Sequence, residues 1–118
     1  MTEDQFQASI FLWAWNTFPE SRRCLWAVPN GGWMKNKIEA MKLKATGVVA
    51  GVWDLHLFFK GRFYIFELKV GTNTLQDNQI DWGVLMKQHG ATLYVISEAK
   101  GGLELFKQVF TQIMTETV

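Results

Sequence analysis

Hydrophobic runs separated by turn residues divide the chain into helical and extended segments in alternation. Helices are predicted over residues 3–18, 33–46, 74–89 and from residue 101 onward. Strands rich in aromatic and β-branched residues are predicted over residues 24–28, 53–59, 62–70 and 91–96. The order α-β-α-β-β-α-β-α predicts one α/β domain over residues 1–118, a sandwich built on a mixed sheet.

Residues at the ends of these segments favour particular caps and turns. Thr2 and Gln5 form a capping-box pattern at the start of the first helix. Lys60 and Gly61 predict a two-residue hairpin tip between the second and third strands. The nearly continuous apolar run over residues 91–96 predicts an interior strand of the sheet.

The first helix is apolar on every side between Ile10 and Trp15. A helix of this kind is expected to meet other surfaces on two sides. One interpretation is that it packs on the core and on a second subunit, with Trp13 and Trp15 at a homodimer interface. The other is that a single core surrounds it.

Composition excludes several classes of protein. Of the 118 residues, 48% are hydrophobic and 19% are charged, which is typical of a globular domain and not of a disordered chain. Cys24 is the one cysteine, so an intramolecular disulfide is impossible. There is no apolar run of membrane-spanning length and no basic N-terminal region, so we expect a soluble, cytoplasmic protein.

The net charge of +1 conceals an uneven distribution. From Glu20 to Lys69 there are nine lysines and arginines against four acids, whereas the rest of the chain has three against seven. This asymmetry fits a side that faces a polyanion. Scattered surface lysines are the plainer interpretation, although Lys35 and Lys37, just after Gly32, are candidate phosphate contacts.

The predicted hairpin brings charged residues together. With its tip at residues 60 and 61, Asp54 lies directly opposite Glu67, with the Cβ atoms about 4.5–5.5 Å apart. Lys69 shares the face of Glu67, and Leu68 points to the opposite face.

Two opposed carboxylates repel each other, and a divalent cation such as Mg²⁺ would offset that repulsion. A nearby lysine could orient or deprotonate a water molecule, or neutralise charge on a phosphate. The alternative is that Asp54, Glu67 and Lys69 are merely solvated at strand ends. Against it, Glu67 and Lys69 interrupt a very apolar strand.

The pattern G-V-x-D, a hairpin and E-x-K resembles the active-site signature of the PD-(D/E)XK nuclease superfamily. Further motifs in the same order resemble its VRR-NUC group over residues 3–96. These motifs are Glu3 with Gln7, residues 29–32 (Pro-Asn-Gly-Gly), Gly47, residues 51–54 (Gly-Val-Trp-Asp), residues 67–69 (Glu-Leu-Lys), and Gln79 with Trp82.

The resemblance implies a restriction-endonuclease-like three-layer sandwich with a central mixed β-sheet, and hydrolysis of DNA with Mg²⁺ or Mn²⁺. It implies that Lys69 serves the attacking water and that Gln79 lines the site. The metal ligands that it implies are Asp54, Glu67, the carbonyl of Leu68 and, as an acid that can join them, Glu3.

The resemblance also bears on partners. The turn at residues 29–32 lies near the DNA-facing cleft in such folds, so the candidate DNA contacts are Asn30, Gly31, Gly32, Lys35 and Lys37. Short stand-alone members from phages and bacteria resemble homodimeric enzymes that cut branched DNA such as four-way (Holliday) junctions. One departure is Trp53, which stands where the group usually has proline, so the strand geometry there is in question.

Two other functions stay open on the sequence alone. The chain could be a DNA-binding or assembly module that keeps the fold without catalysis, or a nuclease that acts on flaps or ends. His56 lies on the face of Asp54, where it is either a metal or base residue or a packed, hydrogen-bonded histidine.

Overall fold

The computed structural model describes residues 1–29 and 37–116. The helices of this part are α1 (Glu3–Thr17), α2 (Lys37–Ala45), α3 (Asp77–Gln88) and α4 (Gly102–Thr115). The strands are β1 (Leu25–Ala27), β2 (Leu55–Phe59), β3 (Arg62–Lys69) and β4 (Thr92–Ser97). Single 3-10 turns cover Pro19–Ser21 and Glu98–Lys100.

The β2–β3 hairpin has the predicted register. Phe59 pairs with Arg62 across the tip, and the antiparallel ladder continues to the pair Leu55 and Phe66. Lys60 and Gly61 have φ angles of 52° and 76°, so both tip residues are left-handed. Two left-handed residues match the right-handed twist of the flanking strands, which explains why this short tip fixes the pairing.

The sheet is mixed, as predicted. Its order is β1-β2-β3-β4, in which the pairs β1–β2 and β2–β3 are antiparallel and the pair β3–β4 is parallel. The prediction that β4 is an interior strand is wrong for the sheet of the described residues, because β4 pairs only with β3 there. Its apolar sequence reflects contacts on its two faces instead, since Ile96 is buried in the core and Leu93 approaches Gly83 of α3, although Val95 is 43% exposed.

Helices cover both faces of the sheet. On one face, α1 and α4 bury a core centred on large side chains of β2 and β3. The core residues of these four elements include Phe6, Ile10, Leu55, Leu57, Phe66, Leu68, Phe106 and Phe110. On the other face, α3 packs through Trp82, whose ring stacks on His56 at a centroid distance of 5.5 Å. The predicted α/β architecture is therefore confirmed.

The apolar circumference of α1 divides between core and surface. Phe6, Ile10 and Ala14 are buried, whereas Leu12 is 59% exposed. Trp13 packs against aromatic rings of α4 at the edge of the core, so it belongs to the single-core interpretation and not to an exposed interface. No helix in residues 1–29 or 37–116 is both long and apolar enough to cross a membrane.

Two helices begin later than predicted. The helix expected from residue 74 begins at Asp77, because the side-chain Oε1 of Gln79 accepts the N–H of Gln76 at 2.9 Å and caps the first turn there. The helix expected over 33–46 is observed over Lys37–Ala45, and residues 30–36 lie outside the described part. The other helix and strand ends differ from the prediction by one or two residues, which is the usual uncertainty of such boundaries.

The aromatic cluster of the core generates a first prediction. Phe106 is fully buried, and its ring centroid lies 5.1 Å from that of Phe66 and 5.2 Å from that of Phe110. Because truncation leaves a cavity, Phe106→Ala is expected to lower the free energy of unfolding by about 3–5 kcal/mol in urea titrations.

Leu105 provides the matched control, since it precedes Phe106 on the same helix and is 43% exposed. Leu105→Ala is expected to cost less than about 1 kcal/mol. Equal losses for Phe106→Ala and Leu105→Ala would contradict the placement of α4 on the sheet.

Candidate metal centre

Asp54 and Glu67 meet where the β2–β3 ladder ends. Asp54 precedes β2, and its backbone N–H donates to Oε1 of Glu67 at 3.2 Å. In return, Oδ2 of Asp54 accepts the backbone N–H of Leu68 at 2.9 Å. The ladder therefore stops at Leu55 because the next N–H binds a carboxylate, and these hydrogen bonds fix both carboxyl groups against the sheet.

A third carboxylate comes from α1. Glu3 is the first residue of that helix, and one of its oxygens lies within 4.8 Å of carboxylate oxygens of Asp54 and Glu67. Thr2 caps the helix, accepting the N–H of Gln5 at 3.1 Å, so the position of Glu3 is set by a well-defined helix start. The positive end of the helix dipole lies at this residue and favours a negative charge there.

Lys69 and Gln79 complete the cluster. The Nζ of Lys69 lies 3.2 Å from Oε2 of Glu67 and donates to Oε1 of Gln79 at 3.0 Å. The side-chain amide of Gln79 also donates to Oε2 of Glu67 at 2.9 Å. Gln79 thus joins the first turn of α3 to the charged end of β3.

Burial makes this concentration of charge costly. Asp54 and Glu67 are 2% and 1% exposed, and Lys69 is 7% exposed. The pKa of Glu67 is raised to about 7. The largest cause is the loss of water on burial and the next is the charge of Asp54, whereas Lys69 lowers the pKa. Burial also raises the pKa of Glu3, again with Asp54 as the next cause. Between pH 4.5 and about 7, Glu67 is therefore expected to keep a proton that an ordinary glutamate would release.

The residues present fit a divalent cation. Glu3, Asp54 and Glu67 offer three oxygen ligands that all lie within 4.8 Å of one another, and hard oxygen ligands are those that Mg²⁺ and Mn²⁺ prefer. Asp54 and Glu67 are almost fully buried and Glu3 lies beside them, so their negative charges are unfavourable without positive charge nearby. A cation can supply that charge in place of the proton on Glu67. This cluster could therefore hold a metal ion.

The structure brings together most of the site residues predicted from the sequence. Asp54, Glu67, Lys69 and Gln79 are linked by hydrogen bonds, and Glu3 joins the carboxylates. The side chain of Leu68 lies in the core, and its N–H is the group that contacts Asp54, whereas a ligand role for its carbonyl stays a prediction.

The predicted DNA contacts lie largely outside the described residues, namely Asn30, Gly31, Gly32 and Lys35. Lys37 is exposed at the first residue of α2. Its role in binding phosphate stays a prediction.

His56 has the packed and hydrogen-bonded environment that was one of its two interpretations. Its Nε2 donates to the carbonyl of Trp53 at 3.1 Å, because a carbonyl can only accept. Rings of Trp26, Phe63 and Trp82 surround it at centroid distances of 5.5–5.8 Å. Burial lowers the pKa of His56, which favours the neutral ring expected of such a position.

Sequence reasoning missed two contacts of the α3 start. Trp53 donates its indole N–H to the backbone carbonyl of Gln79, and Gln79 caps the helix in addition to lining the site. A glycine inside a predicted helix, Gly83, could have indicated that a large side chain packs closely against this helix. In the structure that side chain is the ring of Trp53.

No protein-family model, curated protein or solved structure matches the chain. The resemblance to VRR-NUC nucleases therefore rests on the sequence motifs alone.

The raised pKa of Glu67 predicts an unusual pH dependence of stability in EDTA. Between pH 4.5 and about 7 the folded protein keeps a proton on Glu67 that the unfolded chain has released. Rising pH therefore removes stability through this group. Across that window, Glu67→Gln is expected to gain up to about 3 kcal/mol in free energy of unfolding relative to wild type.

The measurement is the difference between variant and wild type in urea titrations at several pH values. The lowered pKa of His56 makes its contribution to stability fall as the pH falls. This contribution is the same in variant and wild type, so it cancels in the difference. Glu104→Gln is the matched control, since the Glu104 side chain is 76% exposed. A Glu67→Gln difference that is independent of pH would contradict a raised pKa at Glu67.

Proposed function

We propose that the protein is a metal-dependent DNA endonuclease that hydrolyses phosphodiester bonds. The observation that carries this proposal is the convergence of Glu3, Asp54 and Glu67 beside the ammonium group of Lys69. Carboxylates that can hold a divalent cation, with a lysine beside them, suit metal-assisted hydrolysis of a phosphate ester.

Each residue has a distinct part in this chemistry. A divalent cation held there would supply Lewis-acid polarisation of the phosphate and make water more acidic. Asp54, Glu67 and Glu3 would hold that cation. Hydrolysis joins a water oxygen to phosphorus and breaks one P–O ester bond, so a proton must leave the water and the leaving oxygen must gain one.

Lys69 is the residue suited to assist that step. Its Nζ is fixed by Glu67 and Gln79 and cannot swing freely, so it can orient the attacking water or stabilise negative charge on the phosphate. Gln79 anchors both partners, because it contacts the lysine and the carboxylate at once.

DNA is the proposed substrate because of the charge distribution and the sequence motifs. The segment from Glu20 to Lys69 has nine basic residues against four acids, which suits a polyanion. The arrangement of α1 and α4 on one face of a mixed sheet and α3 on the other is compatible with a restriction-endonuclease-like sandwich.

Within that class we favour branched DNA, such as a four-way junction, cut by a homodimer. Two active sites related by a two-fold axis can cut two strands symmetrically. On α1, Leu12 is 59% and Trp15 39% exposed, so apolar surface is present for such an interface. The guanidinium group of Arg22 lies 4.9 Å from the centre of the Trp15 ring and would form the polar edge of this interface.

The test is cleavage of labelled four-way junction, flap, single-stranded and duplex DNA with Mg²⁺, Mn²⁺ or EDTA. Asp54→Asn, Glu67→Gln and Lys69→Ala are each expected to lower the cleavage rate at least about a hundredfold, because each removes charge from the site. EDTA is expected to abolish cleavage of every substrate.

Lys100→Ala is the matched control, since Lys100 is an exposed lysine at the end of a 3-10 turn. This control is expected to cut at the wild-type rate. Cleavage that survives all three site substitutions would refute the site. Salt-sensitive DNA binding without cleavage in any metal would instead indicate a non-catalytic DNA-binding module.

A further inference from the structure

Trp53 lies between the sheet and the first turns of α3. It is 2% exposed, and its indole Nε1 donates to the backbone carbonyl of Gln79 at 2.8 Å. The carbonyl of Trp53 in turn accepts from His56. Both ends of this residue are therefore fixed, one by the strand and the other by the helix.

The neighbouring glycines leave the room that this ring requires. A Cβ atom on Gly83 would lie 2.7 Å from Cζ2 of Trp53, closer than ordinary packing allows. Gly51 has a φ of 84°, and a Cβ there would overlap the carbonyl oxygen of Asn78. The segment before Asp54 is thus packed closely against α3, with glycines where side chains would collide.

The helix residue that Trp53 holds is also the one that contacts the charged cluster. The backbone of Gln79 binds the indole, while its side chain donates to Glu67 and accepts from Lys69. A shift of this turn would move the amide away from Oε2 of Glu67. The hydrogen bond of Trp53 therefore acts on the carboxylate through one intervening residue.

We propose that Trp53 is a positioning residue for the metal centre, which it serves by holding Gln79 against Glu67 and Lys69. Its indole N–H donates to the backbone of α3, so it acts through the helix. Groups that hydrogen-bond to metal ligands, as Gln79 does to Glu67, orient those ligands, and their loss typically weakens metal binding by about ten- to a hundredfold. The inference rests on the metal site of the proposed function, but not on cleavage.

The test is a double-mutant cycle read out as the Mn²⁺ dissociation constant of the full chain, measured by calorimetry. Trp53→Phe keeps an aromatic ring and removes the N–H donor. It is expected to weaken Mn²⁺ binding about tenfold. In a Gln79→Ala background the same change is expected to have less than about a twofold effect, because the residue through which it acts is gone.

Trp82→Phe is the matched control, since Trp82 also joins α3 to the sheet, by stacking on His56. It is expected to lower the melting temperature while leaving the Mn²⁺ dissociation constant within about twofold of wild type. If Trp53→Phe does not fold, Gly83→Ala displaces the same ring and replaces it in the cycle.

The outcomes separate this inference from the proposed nuclease function. Equal tenfold effects of Trp53→Phe in the wild-type and Gln79→Ala backgrounds would overturn the positioning role, as would an equal loss of affinity in Trp82→Phe. Mn²⁺ binding that follows the expected cycle without DNA cleavage would refute the nuclease and support the inference. A wild-type chain that does not bind Mn²⁺ would overturn both.

Discussion

The burial of two opposed carboxylates, Asp54 and Glu67, constrains the architecture around the site. Each accepts a backbone N–H from the other's strand region, so their separation is fixed by the sheet and cannot relax outward. In a dry environment such a pair is unfavourable unless protons, cations or hydrogen-bond donors compensate it. The protein itself supplies the ammonium group of Lys69, the amide donor of Gln79 and, below about pH 7, the proton that Glu67 keeps.

This arrangement concentrates destabilising charge at one end of the sheet, at the cluster that could hold a metal ion. The core on one face of the sheet, around Phe66 and Phe106, is apolar and closely packed and can tolerate that cost. On the opposite face, α3 and its contacts with Trp53 hold the site partner Gln79 in place. The apolar core and the charged end of the same sheet are thus separated by the alternation of side chains along β2 and β3.

The parts of the site that follow from local pairing were predictable from the sequence. A two-residue tip at Lys60 and Gly61 sets the register of the hairpin, which alone places Asp54 opposite Glu67. The approach of Glu3 was suggested only by resemblance, because it depends on where α1 packs. The start of α3 was misplaced because Gln79 caps it, and β4 was taken for an interior strand because both of its faces contact helices.

We propose above all that Glu3, Asp54 and Glu67 hold a divalent cation. A crystal grown with Mn²⁺ tests it most directly, because the anomalous scattering of manganese locates the ion independently of the protein phases. The account predicts one strong anomalous peak within bonding distance of Asp54, Glu67 and Glu3, and its loss in a crystal of Glu67→Gln. A manganese peak elsewhere, with none between these carboxylates, would contradict it.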